Sequence, residues 1–481
     1  MTVLWTDQEI TEALGITCGS SWSATGVSID SRTIEPGDLF IAIVGPVHDG
    51  HEHVVGALEN GAAAAIVHRD PTELTSDGML QVRMVWVNDT LAAMQRLASF
   101  ARMRGAAEII AVTGSVGKTG TKEMLRLMLQ DQGRTTATEG NLNNHWGLPL
   151  SLIRMPKDTE FGIFEIGMSS PGEIIPLSNI AEPDVAVITA VEHVHSEFFE
   201  SIEDIADAKA EIFSGLQAGG AAVLNIDSPM FGRLAEEVKN SGNSNIRTFG
   251  AHPDADYRLT GITRTNFGSQ VKASLDGKSV EFGIGVPGRH WVINALGALA
   301  AIDAVGGDTL RAVARLKDMH GLKGRGERHG IQIDGGEFIL IDESYNASPV
   351  SMAAAFEVLG SSPVSGSGRR IAVIGDMLEL GDKSEELHTG LAPRLAENGI
   401  DLVFSAGQYM AHLWEALPPA MRGGHAMTTA KLSPLVISAV RPGDVVCVKG
   451  SLGSRTGLIV SDLLALGNHS QDAEPKVVNG D

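Results

Sequence analysis

The 481-residue chain reads as an α/β protein of three domains built on parallel sheets. Three observations predict this. Short apolar runs alternate with helical patterns along almost the whole chain. One of those runs leads directly into a glycine-rich turn and then a helix. The length suits about three hydrophobic cores of ordinary domain size.

The glycine-rich turn is the most informative stretch. Ile109 to Val112 has the unbroken apolar character of a buried parallel strand. Thr113-Gly114-Ser115-Val116-Gly117-Lys118-Thr119-Gly120 follows, and then Met124 with Met128 and Leu125 with Leu129 at helical spacing. Glycines let backbone amides approach phosphate oxygens, and the helix N-terminus adds partial positive charge. In such a loop Lys118 reaches the outer phosphates and the Thr119 hydroxyl holds a magnesium ion. Val112 stands where the longer Walker spacing has glycine, so the loop is a shortened variant. These residues imply ATP or a close relative.

The formal net charge of -22 argues against a nucleic-acid partner, whose phosphates it would repel. Hydrophobic content of 43% and charged content of 20% are ordinary for a globular protein. Two cysteines, Cys18 and Cys447, form no disulfide framework and suit a reducing compartment. Cys447 lies in the apolar run Val445 to Val448 and reads as core. The first residues lack a basic-then-apolar leader, and no stretch has the roughly 18 to 20 apolar residues of a membrane span. A cytoplasmic protein without membrane insertion is expected.

Along the chain, residues 1–83 form a small α/β domain. Its strands are Asp38 to Val44 and Ala62 to Val67, with a helix from Val54 to Asn60. Ser31-Arg32 reads from its residues as a solvated turn. A helix from Thr90 to Met103 leads into a central domain spanning 84–320. Its further strands are Phe161 to Ile166, Val185 to Thr189 and Ala221 to Asn225, with a small antiparallel insert at 257–286 and a core helix from Trp291 to Val305. Gly321-Leu-Lys-Gly-Arg-Gly326 marks the start of a third domain, 321–467, with strands Phe338 to Asp342, Ile371 to Ile374, Leu402 to Phe404 and Val445 to Val448. Residues 468–481 read as a polar, disordered tail.

Polar residues cluster at the carboxyl ends of the central strands, where open α/β sheets place their ligands. Glu165 ends one strand, and His193 and His195 follow the strand that ends at Thr189. Lys209, in a helical pattern with Ile205 and Ile212 facing the core, reads as a solvated charge. Asn141, Asn143 and Asn144 form an amide-rich loop suited to turns, or to a sugar or peptide.

Taken together these motifs resemble the Mur ligase family, ATP-dependent amide-bond formers of peptidoglycan precursor synthesis. The resemblance covers essentially the whole chain except the tail: Thr113 to Thr119, Glu165, His195, Lys209, Asn294, Arg325 and Asp342 stand in the family's order. It implies a nucleotide-sugar-binding N-terminal domain, a central P-loop ATPase domain and a mobile Rossmann-like C-terminal domain. Gly140 to Pro149, Glu165 to Glu173, Asp342 to Pro349, and Gly375 to Gly381 followed by His388 are similar to the branch that joins D-alanyl-D-alanine to UDP-N-acetylmuramoyl-tripeptide.

The resemblance also implies roles. The tripeptide carboxylate is phosphorylated by ATP, and the dipeptide amine displaces phosphate from the acyl phosphate. Lys118, His195 and Lys209 become catalytic residues, with Lys209 carbamylated into an anion. Thr119, Glu165 and His195 become magnesium ligands. Thr113 to Gly120 bind ATP together with Asn294 on adenine, Arg325 on the phosphates and Asp342 on the ribose; the last two lie beyond the linker, so domain closure would complete the site. Ser31 and Arg32 then become substrate residues rather than a bland turn, together with the loop Asp49, Gly50 and His51. Asn141, Asn143, Asn144 and Asn346 also contact substrate, and Lys449, Ser451 and Arg455 contact the dipeptide carboxylate. A monomer is expected.

Three positions depart from the family pattern: Ala190 in place of Asn, Glu192 in place of Gly and Ser348 in place of a second Asn. Two other readings remain open. A sister ligase adding a single amino acid would show His where this chain has Asn346. A nucleotide-binding protein without ligase activity would keep the loop alone.

Overall fold

The computed structural model describes residues 2–192, 199–265 and 268–471. The chain packs as two compact units. One takes residues up to 191, 203–258 and 295–313; the other takes 259–294 and the chain from 314 on.

Within the first unit, a four-stranded parallel sheet runs in sequence order: β1 (Gly26–Ser28), β2 (Asp38–Ile41), β3 (Ala64–Val67) and β4 (Met84–Trp86). The apolar runs of β2 and β3 are buried, and helix α1 (Val54–Glu59) lays Val54, Ala57 and Leu58 onto Phe40, Val67 and Met84. β4 pairs with β3, Met84 opposite Ala65 and Trp86 opposite Val67, so this sheet extends past the expected boundary at 83. Three residues were too short a run to read as a strand. Helix α2 (Thr90–Met103) follows, its N-terminus capped by the Asp89 carboxylate, which accepts from Leu91 and Ala92.

The second sheet carries the phosphate loop. Its parallel core is built from β5 (Glu108–Thr113), β6 (Thr135–Ala137), β7 (Phe161–Glu165), β8 (Val185–Ile188), β9 (Ala221–Asn225) and β10 (Ile246–Gly250), in the order β10-β9-β8-β5-β7-β6. After β5 the chain crosses to the β6 edge, returns through β7, and then passes to the other side of β5. The loop after β5 therefore opens at the point where strand order reverses, where such sheets bind ligands. Register brings Val112 opposite Glu165 and Thr113 opposite Ile188.

In the second unit, β12 (Ser269–Leu275) and β13 (Lys278–Ile284), which follow β11 (Tyr257–Arg264), form the antiparallel hairpin expected near 257–286. Leu275 pairs with Lys278, so the turn is Asp276-Gly277, both at positive φ as a two-residue hairpin turn requires.

The third sheet has β14 (Glu327–Ile333), β15 (Gly336–Glu343), β16 (Arg370–Gly375), β17 (Leu402–Ala406), β18 (Arg422–Ala426) and β19 (Val445–Lys449). Their order is β14-β15-β19-β16-β17-β18, parallel except for the β14–β15 pair. β14, absent from the sequence reading, opens the domain. Alternate residues serve opposite faces. Ala372, Ile374, Val445 and Cys447 join one core with Met352 and Phe356, while Ile371, Val373, Val446 and Val448 join the other with Ile459 and Leu463. Cys447 is core, as its apolar run predicts. The final helix runs Gly457–Gln471, past the position 468 at which a tail was expected; the rest of that tail lies outside the described residues. Among the described residues, no helix is long and apolar enough to cross a membrane.

Candidate active site

The loop after β5 turns on Gly114 and Gly117, at φ 148 and 88, values that side-chain-bearing residues rarely adopt. A Cβ on Gly114 would also meet the Thr189 hydroxyl and the Ala190 backbone. Helix α3 (Lys118–Leu129) starts directly at Gly117, so the first helical amides face the loop. The strand end beside it supplies the support: Thr189 Oγ1 donates to the Val116 carbonyl at 2.6 Å, and the Ser115 amide donates to the Ala190 carbonyl at 2.8 Å. Lys118 Nζ donates to the Gly114 carbonyl at 2.7 Å, which keeps the cation folded over the loop.

Around this loop the structure gathers several residues that the sequence singles out. Thr119 Oγ1 donates to Glu165 Oε2 at 2.9 Å, and Asn143 Nδ2 donates to Glu165 Oε1 at 2.8 Å. Glu165 is only 2% exposed. Thr119 and Glu165 are adjacent hard oxygen donors, the type magnesium selects. Among the described residues no group of three or more His, Cys, Asp or Glu could hold a metal alone. Two such donors side by side fit magnesium, which takes much of its shell from water and substrate phosphate. His193 and His195 lie outside the described residues.

Lys209, on helix α4 (Ile202–Ala210), is 2% exposed, which overturns its reading as a solvated charge. Burial holds its ammonium well below the usual lysine range, and the Lys118 cation adds to the effect. Burial therefore favours the neutral amine over the ammonium. The neutral amine is the form that reacts with carbon dioxide, so the site fits a carbamylated lysine.

The remaining candidates occupy other places. Ser31 and Arg32 lie on a short turn where Arg32 Nη2 binds Asp30 Oδ2 at 2.7 Å; Arg32 is well exposed and holds the Asp30 carboxyl down to about 2. The His51 ring is buried: Nδ1 meets Asp49 Oδ1 at 2.7 Å, and Nε2 accepts from the His68 amide at 3.0 Å. A ligand at this loop would meet Asp49, itself paired with Arg69, before that ring. Asn141 is exposed; Asn144 caps the following helix, accepting from Trp146 at 3.2 Å and Gly147 at 2.9 Å.

In the second unit, Asn294 is half-buried on helix α5 (Arg289–Ala304). Asp342 accepts the Gly324 amide on Oδ2 and the Ser344 amide on Oδ1, both at 3.0 Å, and so organises the linker turn. The Arg325 guanidinium stacks 4.1 Å from the Tyr345 ring centroid. Lys449, 3% exposed, donates to the Asn346 carbonyl at 2.9 Å and meets Glu343 Oε2 at 3.3 Å. Ser451 is buried nearby on the same chain segment, and Arg455 is exposed.

Three family models match in order: Mur ligase family, catalytic domain, over residues 23–102; Mur ligase middle domain over 112–302; and Mur ligase, glutamate ligase domain, over 324–452. A UDP-N-acetylmuramoyl-tripeptide–D-alanyl-D-alanine ligase of Rickettsia prowazekii is 34% identical over 460 residues, 95% of this chain and 99% of the relative. The chain belongs to the Mur ligase family. Among solved structures, MurF from Acinetobacter baumannii has a TM-score of 0.83 at 30% identity, covering 96% of this chain and 99% of that one. A MurF ligase from Thermotoga maritima in complex with ADP has a TM-score of 0.76 at 27% identity, covering 92% and 98%.

Two departures from the Mur ligase pattern now have a physical account. Position 190 supports the loop through its carbonyl, which Ala190 supplies as well as Asn would. Ser348 caps the helix Pro349–Ser361, its hydroxyl accepting from the Ser351 amide. Sequence reasoning missed three supports of the Mur ligase site. Besides Thr189, Thr138 Oγ1 accepts the Glu165 amide at 3.1 Å, and the buried Lys122 donates to the Thr138 carbonyl at 2.6 Å. The one available signal was Thr189 as the last residue of an apolar run.

Proposed function

We propose that this enzyme is an ATP-dependent amide-bond ligase that adds D-alanyl-D-alanine to UDP-N-acetylmuramoyl-tripeptide in peptidoglycan precursor synthesis. The cluster of Lys118, Thr119, Glu165 and Lys209 around the phosphate loop carries this reading, together with likeness to such ligases over nearly the full chain.

The tripeptide carboxylate attacks the γ-phosphorus of ATP, and ADP departs, leaving an acyl phosphate. The dipeptide amine then attacks the acyl carbon, and phosphate leaves as the amide forms. Loop amides and Lys118 bind the phosphates, the cation exchanging the Gly114 carbonyl for a phosphate oxygen. A magnesium ion on Thr119 and Glu165, with His195 as a further ligand, would neutralise charge on the transferred phosphoryl group. Carbamylation of Lys209 would turn its amine into an anion beside Lys118. Asn294, Arg325 and Asp342 take the adenine, phosphates and ribose. Ser31, Arg32 and the Asp49–His51 loop take the uridine diphosphate end, and Asn141, Asn143, Asn144 and Asn346 contact the substrates. Lys449, Ser451 and Arg455 hold the dipeptide carboxylate. The enzyme acts as a cytoplasmic monomer.

The test is ADP release with ATP, magnesium and the UDP-tripeptide, with and without D-alanyl-D-alanine. Dipeptide-dependent release with a UDP-pentapeptide product by mass is expected. Release that ignores the dipeptide and follows a single amino acid would assign a sister reaction. No release under any combination would overturn the ligase reading.

A further inference from the structure

The segment after β16 is tied to the segment after β19 by two backbone-directed bonds. Leu378 N–H donates to Ser451 Oγ at 3.0 Å, and Ser451 N–H donates to the Asp376 carbonyl at 3.2 Å. Asp376 Oδ1 accepts the Met410 amide at 2.9 Å, fixing the start of this segment to the helix Met410–Ala416. Between the two tied residues lies Met377, fully buried, whose N–H needs an acceptor.

That acceptor is His388, also fully buried, on the helix Ser384–Thr389. Its Nε2 lies 3.0 Å from the Met377 nitrogen, and its Nδ1 lies 2.5 Å from the Ser384 carbonyl oxygen. A carbonyl cannot donate, so Nδ1 carries the proton and Nε2 presents its lone pair to Met377. An imidazolium would set two donors face to face. Other groups face the ring: Asp376, with Oδ1 4.0 Å from Nε2; Tyr409, stacked at 5.5 Å; and His412, itself 3.5 Å from Glu385. Burial pushes the His388 pKa down; the Ser384 carbonyl and Asp376 oppose this, and His412 reinforces it.

We infer that His388 is a positioning residue for the dipeptide subsite: as a neutral acceptor for Met377 N–H it holds residues 376–378 in the shape that seats Ser451 next to Lys449. This rests on the reading that Lys449 and Ser451 contact the dipeptide. His388 touches no reacting atom, so its effect falls on dipeptide binding. Protonation removes the acceptor, so dipeptide KM rises as pH falls.

The experiment measures KM for D-alanyl-D-alanine, ATP and the UDP-tripeptide on the full-length enzyme from about pH 5 to 8. Wild type, His388→Leu, His388→Gln and Lys449→Ala are compared. His388→Leu strands a buried N–H and is expected to raise dipeptide KM roughly ten-fold or more, with ATP KM within about two-fold of wild type. His388→Gln places an amide oxygen where Nε2 lies and does not titrate. It restores dipeptide KM to within about three-fold and makes the rise at low pH shallower, leaving only the part due to protonation of the dipeptide's own amine. Unchanged dipeptide KM in His388→Leu, or an equal rise in ATP KM, overturns the inference. Should His388→Leu fail to fold, identical pH profiles for wild type and His388→Gln overturn it, and a flattened His388→Gln profile supports it. Lys449→Ala with unchanged dipeptide KM would overturn the subsite reading itself. A raised KM there with His388→Leu unchanged would overturn only the role of His388.

Discussion

Thr119 Oγ1 and Glu165 Oε2 are joined by a 2.9 Å hydrogen bond between the first turn of one helix and the end of the strand next to its own. The pair sets two hard oxygen donors side by side, and in the proposed reaction both hold magnesium. Glu165→Gln keeps the shape and an acceptor oxygen but removes the charge. ADP release should fall on the order of 100-fold, and the magnesium concentration for half-maximal rate should rise. A magnesium titration of both proteins checks this.

The phosphate loop leans on Thr189. Thr189→Val removes the bond to the Val116 carbonyl while keeping the side-chain shape. A loss of about 1 to 2 kcal/mol corresponds to a five- to thirty-fold weaker ATP Kd. Ala190→Ser, which leaves the carbonyl bond to Ser115 in place, should change Kd by less than about two-fold. Equilibrium binding of ATP separates the two variants.

Lys209 makes a prediction of opposite signs for stability and activity. An amine whose pKa is lowered by the fold holds its proton less tightly there than in the unfolded chain, so between the two pKa values the unfolded state binds more protons. Stability therefore rises with pH from the lowered folded pKa toward the ordinary value of 10.5. Lys209→Met should abolish activity, flatten that slope and stabilise the bicarbonate-free protein near pH 7 by about 1 kcal/mol or more. Urea unfolding across a pH series reads the slope, and an unaltered slope would show that the folded amine is charged.

Asp342→Asn tests the linker turn. Each carboxylate oxygen accepts a backbone N–H, and an amide can satisfy one of them only. The variant should lose about 1 to 3 kcal/mol in denaturant unfolding and exchange its Gly324 amide hydrogen faster than wild type.

The sequence made some of this legible and hid the rest for identifiable reasons. Unbroken apolar runs such as Ile109 to Val112 and Ala221 to Asn225 declared themselves as strands because parallel sheets bury both faces. Short or polar edge strands did not: Thr135–Ala137 and the Arg-Gly-Gly-His-Ala strand at 422–426 take their conformation from a neighbour. The phosphate loop was readable because glycine geometry dictates it. Lys209 was misread from its residues because its burial depends on what packs over the helix, not on spacing. Asn143 and Asn144 looked alike in sequence, yet one holds Glu165 and the other caps a helix.

The third sheet has a consequence for how such an enzyme can change. Both of its faces are committed to packed cores, and β15, β16, β17 and β19 run the same way, ending at Glu343, Gly375, Ala406 and Lys449. The loops that leave the carboxyl ends of these four strands thus share a single rim. Selection for a different acceptor amine can rewrite the rim loops residue by residue, while the strands beneath keep the register that holds them.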